Sequence, residues 1–147
     1  MSLTEDLAHA LEGSTGVRLA VMFGSAARGT ARSDSDVDVG VLLDDDDGLP
    51  ALRVTLERAV GRSVDLVSLR TAPPLLRFEI ARVGQLLIER DPHAWVEFRA
   101  HAMIDWWDWA PTARIMHRAV RSRLQRRGHT WFVVTWSRRN SRGLARG

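Results

Sequence analysis

The stretch VRLAVMFGSAARGTARSDSDVDVGVLL, residues 17–43, decides the fold of this chain. Val17, Leu19, Val21 and Phe23 form an apolar run with the periodicity of a buried strand. Gly24-Ser25 makes a sharp corner that opens a short helix at Ala26, and a small-residue turn through Arg28-Gly29 follows. Asp36-Val37-Asp38-Val39 then begins a second strand. Side chains two apart leave a strand on one face, so Asp36 and Asp38 point together. Val37, Val39, Val41 and Leu43 point the other way, toward a core. Two neighbouring carboxylates repel unless a cation lies between them, and a hard divalent ion such as Mg²⁺ suits carboxylate oxygens. At the Gly24-Ser25 corner, free backbone N–H groups and a hydroxyl can meet phosphate oxygens. A phosphate grip beside paired carboxylates is equipment for phosphoryl or nucleotidyl transfer.

The composition is that of an ordinary soluble protein: 147 residues, 45% hydrophobic and 27% charged, enough for one domain with a core and a tail. The absence of cysteine removes disulfides and thiolate metal sites. Glu5 and Asp6 lie where a signal peptide needs an apolar run, and no segment reaches membrane-spanning length, so a cytoplasmic location is expected. All 21 basic residues are arginine. Residues 1–110 hold 11 of them and all 18 acids, a net of −7, whereas residues 111–147 hold 10 and no acid, a net of +10. The basic character therefore belongs to the C-terminal quarter, which could meet nucleic acid, an acidic protein or a headgroup layer.

Ahead of the opening stretch, Ser2 and Glu5 form a capping-box pattern and Leu3, Leu7 and Leu11 one apolar row, predicting a helix over 3–12. Asp44-Asp45-Asp46-Asp47-Gly48 reads as a solvated turn that stops the second strand. A helix over 50–60 follows, with Leu49, Leu52, Leu56 and Val60 inward and Gly61 at its end. Ser63 to Leu69 reads as a third strand. Asp65 within it needs a partner, and Arg62 is one candidate. Pro73-Pro74 opens a helix over 75–83, and Gln85 to Glu89 is a fourth strand. Arg77 and Arg82 stay open between a solvated helix surface and contact with a phosphate or a partner. The alternation predicts a mixed α/β class, a small mixed sheet with packed helices.

Three regions result: a core over 1–91, C-terminal helices over 92–128 packed on it, and a basic tail over 129–147. Trp95, Phe98, Ala102 and Trp106 give His93–Trp109 a helical pattern. Pro111 is expected to end that helix, with a second over 112–127. Of the adjacent Trp106 and Trp107, one must face outward, as an interface residue does. In the tail, 129–136 has a strand-like pattern and 137–147 the composition of a disordered segment. The five histidines form no metal-type pair and are read as solvated or locally bonded.

Gly24-Ser25, ten intervening residues and Asp36-Val37-Asp38 resemble the signature of the polymerase-β-like nucleotidyltransferase superfamily. The fuller strings Phe23-Gly24-Ser25-Ala26-Ala27-Arg28-Gly29 and Ser33-Asp34-Ser35-Asp36-Val37-Asp38 resemble its minimal nucleotidyltransferase (MNT) branch. That branch includes antitoxins encoded beside HEPN-domain ribonuclease toxins. Val64-Asp65-Leu66-Val67 and the segment 73–82 are similar to it as well, and the resemblance covers about residues 15–127. It implies a nucleotidyltransferase fold with Asp36, Asp38 and Asp65 as catalytic metal ligands, Mg²⁺ (two ions) as cofactor and ATP as substrate. It places Gly24 and Ser25 on the nucleotide phosphates, with Arg28 either neutralising the triphosphate or holding the turn. The implied reaction is AMP transfer (AMPylation) to a tyrosine of a cognate HEPN toxin. This chain has no tyrosine, so such an acceptor belongs to another molecule. Alternatives are adenylylation of a small hydroxylated molecule such as an aminoglycoside, and a binding antitoxin without chemistry. Nucleic-acid binding through the basic tail is less favoured, because no helix-turn-helix is legible.

Overall fold

A computed structural model describes residues 2–124, with side chains described through Thr112. Helix α1 (Leu3–Glu12) starts where the sequence predicts. The Ser2 hydroxyl accepts from the Glu5 N–H at 3.3 Å, and the Glu5 carboxylate accepts from the Ser2 N–H at 2.7 Å. This reciprocal cap satisfies two of the amides that a helix start leaves free. Leu7 and Leu11 carry the apolar row into the core.

Strand β1 (Val17–Phe23), the one-turn helix α2 (Gly24–Ala27) and strand β2 (Val37–Leu43) follow. After the short 3-10 turn Asp46–Gly48 come α3 (Leu49–Val60), β3 (Val64–Ser68), α4 (Pro74–Val83) and β4 (Gln85–Glu89). The four strands form one mixed sheet in the order β3-β2-β1-β4. β1 is antiparallel to both β2 and β4, while β2 and β3 run parallel. The α/β class expected from the sequence is the one found.

Helices cover both faces of the sheet. On one, Leu7 and Leu11 of α1 and Leu52 and Leu56 of α3 pack with Ala20, Met22, Val37, Val39 and Val41. On the other, Ile80 and Ala81 of α4 and Ala94, Phe98 and Ala102 pack with Leu19, Val21 and Phe23. Val37, Val39 and Val41 of β2 thus enter the α1–α3 core, as the strand's alternation requires, and Asp38 faces the opposite side. Two residues along that side, Gly40 gives the space that Leu69 and Ile80 occupy, since a Cβ there would lie 2.6 Å from Leu69 Cδ2. The polar run 44–47 is more than a solvated turn, because Asp46 accepts a 2.7 Å hydrogen bond from the buried Ser68.

Helix α5 spans Ala94–Leu124, with Pro111 inside it. The expected break at Pro111 does not occur. A proline inside a helix forfeits one i→i−4 bond and crowds the preceding turn, yet flanking bonds can carry the chain through. The compact unit containing the sheet extends to Asp108, and a second begins at Trp109. The expected strand over 129–136, the end of the predicted 112–127 helix and the tail lie outside the described residues. Trp106 stacks on Phe78 with ring centroids 4.6 Å apart, whereas Trp107 is 76% exposed. The expected division between the two tryptophans is present. Among the described residues, no helix is long and apolar enough to cross a membrane.

Candidate active site

β1 ends at Phe23, and the chain turns at once through Gly24, whose φ of 70° lies in the left-handed region. A Cβ at Gly24 would collide with the Asp38 carboxylate. Glycine is required here twice over, for the backbone conformation and for the close approach of the β1–α2 corner to Asp38. Ser25 follows, half-buried, and its hydroxyl makes no hydrogen bond to the described residues.

Asp36 immediately precedes β2, and Asp38 is its second residue. In the parallel ladder, Asp38 is the register partner of Asp65 on β3. Register partners on neighbouring strands put their side chains side by side on one face. Asp38 and Asp65, 27 positions apart in sequence, therefore lie side by side at one end of the sheet, with Asp36 two positions before Asp38. Asp36 and Asp65 are exposed and Asp38 is half-buried.

The electrostatics agree with the geometry. Burial, first, and then the charges of Asp65 and Asp36 push the Asp38 carboxyl above its ordinary value of 3.8, while Arg28 pulls it down. Arg28 is exposed, and its Nε donates to the Gly24 carbonyl at 3.2 Å. It thus supports the corner while its charge reaches Asp38.

The donor set is all oxygen and carries surplus negative charge, which fits a hard divalent cation. Among the described residues, no three acidic or histidine side chains converge closely enough to enclose an ion by themselves. Mg²⁺ does not require such a cage, because it keeps waters and binds one or two carboxylates together with substrate phosphates. A groove of about 490 Å³ lined by Asp6, His9, Thr55 and Arg58 lies between α1 and α3 and contains none of the three acids. It is wide open and offers no paired carboxylates, which leaves the acids at the sheet end as the candidate site.

The Asp65–Arg62 pairing, one candidate raised by the sequence, is absent: no ion pair among the described residues involves Asp65. Arg62 Nη2 donates instead to the carbonyls of Arg32 and Ser35, at 2.8 and 2.5 Å. Arg77 is paired with Asp105 at 2.6 Å and lies 5.5 Å from the Phe98 ring, and Arg82 donates to Glu79 at 3.2 Å. Both arginines left open by the sequence thus have partners within the chain. The hydrogen bonds of Arg62 and Arg77 span 27 to 30 positions and have no local sequence signature, whereas Arg82–Glu79 is an i,i+3 pair on α4.

A glycine corner closed against a row of carboxylates at the end of a mixed sheet defines a nucleotidyltransferase-type protein. The family model for polymerase beta nucleotidyltransferases matches residues 5–93, and the chain belongs to that family. Comparison with curated proteins gives no match. Among solved structures, the chain is similar to a toxin–antitoxin crystallised with AMP-PNP. There the TM-score is 0.67 and the identity 24%, over 80% of this chain and 98% of that one. It also resembles the toxin–antitoxin MntA-HepT, with TM-score 0.62 and 21% identity over 80% and 97% of the two chains. A third similarity is to a tri-AMPylated Shewanella oneidensis HEPN toxin in complex with MNT antitoxin. Its TM-score is 0.62 and its identity 20%, over 80% of this chain and 96% of the other. At these identities the likeness is one of fold.

Proposed function

We propose that the chain is a cytoplasmic MNT antitoxin that transfers AMP from ATP to a tyrosine of a cognate HEPN ribonuclease toxin, with Mg²⁺. The observation that carries this reading is the placement of Asp38 beside Asp65, with the Gly24–Ser25 corner closed against Asp38. Similarity to a toxin–antitoxin holding AMP-PNP and to a complex containing an AMPylated toxin supports the nucleotide and the partner.

In this reading Gly24 and Ser25 hold the β- and γ-phosphates, and Arg28 offsets part of their charge. Asp36 and Asp38 hold Mg²⁺, two ions on the family pattern, with Asp65 completing the set toward the acceptor. Bound Mg²⁺ supplies charge stabilisation to the attacking and leaving oxygens of an in-line displacement. Asp65 is exposed on β3, an edge strand, so a hydroxyl borne by another protein can reach it. The acceptor hydroxyl gives up its proton to solvent and its oxygen bonds to the α-phosphorus, while the bond from that phosphorus to the bridging oxygen breaks and pyrophosphate leaves.

The test is incubation with α-labelled ATP, Mg²⁺ and the product of the neighbouring gene. Label on a tyrosine of that product is expected. Label on an added aminoglycoside would make the chain a small-molecule adenylyltransferase. Tight binding of the neighbouring product without label would make it a steric antitoxin.

A further inference from the structure

We propose that Arg62 is a positioning residue that ties the segment ending in Asp36 to the start of β3, and so sets Asp36 against Asp65. This rests on the nucleotidyl-transfer reading above. Arg62 lies three residues before Asp65, in the turn between α3 and β3. Its Nη2 donates to the carbonyls of Arg32 and Ser35, at 2.8 and 2.5 Å, and reaches the Ser35 hydroxyl at 3.3 Å. The Ser35 hydroxyl in turn donates to the Arg32 carbonyl at 2.8 Å, closing a small ring of polar contacts. One residue past Asp36, the Val37 N–H donates to the Ser63 carbonyl at 3.0 Å, and the parallel ladder begins.

Residues 28–30 and 32–34 are exposed and belong to no helix or strand. Among the described residues, Arg62 is the one side chain from outside this loop that hydrogen-bonds to residues 31–36. Its partners are neutral oxygens. No carboxylate among the described residues pairs with its charge, and its buried Nε has no acceptor. A guanidinium that forgoes the neighbouring Asp65 for three loop oxygens leaves the Asp65 carboxylate free for a ligand. Meanwhile the start of β3 is held from the other side, where Glu57 accepts the Val64 N–H at 3.1 Å. With β3 anchored, Arg62 converts that anchorage into a fixed height for Asp36.

Without the tether, Asp36 must be ordered at the moment Mg²⁺ binds. The nucleotide grip at Gly24–Ser25 does not touch Arg62 and should be little affected. Partners that orient metal ligands typically change metal affinity or activity by about 10–100-fold. In Arg62→Ala, the Mg²⁺ concentration for half-maximal transfer should rise by about tenfold, with the KM for ATP at saturating Mg²⁺ nearly unchanged. Arg62→Lys, whose ammonium can reach one or two of the same oxygens, should recover part of the loss.

Two readouts need no catalysis. Amide exchange across residues 32–37 of the metal-free chain should accelerate in Arg62→Ala, and Mn²⁺ binding followed by paramagnetic relaxation should weaken. An Arg62→Ala protein with wild-type loop exchange and wild-type Mn²⁺ affinity overturns the proposal. So does one in which the KM for ATP rises as much as the Mg²⁺ requirement, since that is general distortion of the site. If the wild-type chain transfers no nucleotide to any acceptor, the functional reading fails, and the exchange and Mn²⁺ measurements still decide the tether.

Discussion

Asp38 and Asp65 are register partners on parallel strands, and burial together with the charges of Asp65 and Asp36 raises the Asp38 carboxyl above its ordinary 3.8. The apo protein thus holds a repulsion that a bound cation would relieve.

The first prediction follows from the sign of that shift. With its folded pKa above the unfolded one, Asp38 binds protons more tightly in the native state. Stability is therefore unpenalised below the ordinary value of 3.8 and falls as pH climbs through the raised folded value. Asp38→Asn removes this penalty, so the melting temperature of the variant should gain on wild type as pH rises from about 3 to about 7. Mg²⁺ with ATP should stabilise wild type and not the variant, by linkage. Transfer should fall by roughly 10²-fold or more, on the scale of losing one electrostatic contributor. Thermal melts over pH and a labelled-ATP assay check both parts. A variant transferring at the wild-type rate would remove Asp38 from the site.

Gly24 gives a sharper test because Gly29 is its control. Their φ values are 70° and 69°, but an added Cβ meets Asp38 at Gly24 and nothing within 4 Å at Gly29. Both alanine variants bear the left-handed backbone cost of about 1 kcal/mol. Gly24→Ala should be less stable than Gly29→Ala by a further ~1–3 kcal/mol, the usual range for overpacking. Denaturant titration measures the difference. Equal losses would mean that the Gly24–Asp38 contact is relaxed at little cost.

Asp65→Asn should impair chemistry more than nucleotide binding, because Asp65 is assigned to the acceptor side. Single-turnover rates should drop by about 10²-fold or more, with ATP affinity by calorimetry changing by less than about tenfold. An affinity that collapses in step with the rate would contradict the division of roles.

The two tryptophans should separate stability from capture. Trp106→Ala loses the stack on Phe78 and should cost about 1–3 kcal/mol of folding stability. Trp107→Ala, at a side chain 76% exposed, should change stability by no more than about 0.5 kcal/mol. If Trp107 docks the toxin, its loss should weaken capture by about tenfold or more, the range of an interface hot spot. Denaturation and surface-binding kinetics make the comparison. Unchanged capture in Trp107→Ala would place the docking surface elsewhere.

What could be read in advance was what depends on local pattern. The Ser2–Glu5 cap, the alternation of Val37, Val39 and Val41, the glycine ends and the turn at Gly24 are all set by neighbours a few positions away. The pairing of Asp36 with Asp38 was read from strand geometry, whereas the structure begins β2 one residue after Asp36. Adding Asp65 required the family resemblance, because strand pairing across 27 positions leaves no trace in periodicity. The same reason hid the true partners of Arg62 and Arg77 and the Phe78–Trp106 stack, all made by the folding of distant segments. The passage of α5 through Pro111 was misread because proline propensity describes an average helix, and tertiary context overrides such averages.

Arg90, just past β4, donates to the carbonyls of Leu11, Glu12, Ser14 and Val17, at 3.0, 2.7, 2.6 and 3.3 Å. One guanidinium thereby serves as the lock on the end of α1 and the lead-in to β1. A recombinant version trimmed to start at Thr15, where the family resemblance begins, would leave that lock with nearly nothing to close on. It would also bare the α3 side of the sheet where Leu7 and Leu11 now lie. Expression designs for this protein should therefore keep the amino-terminal helix and place any affinity tag ahead of Ser2.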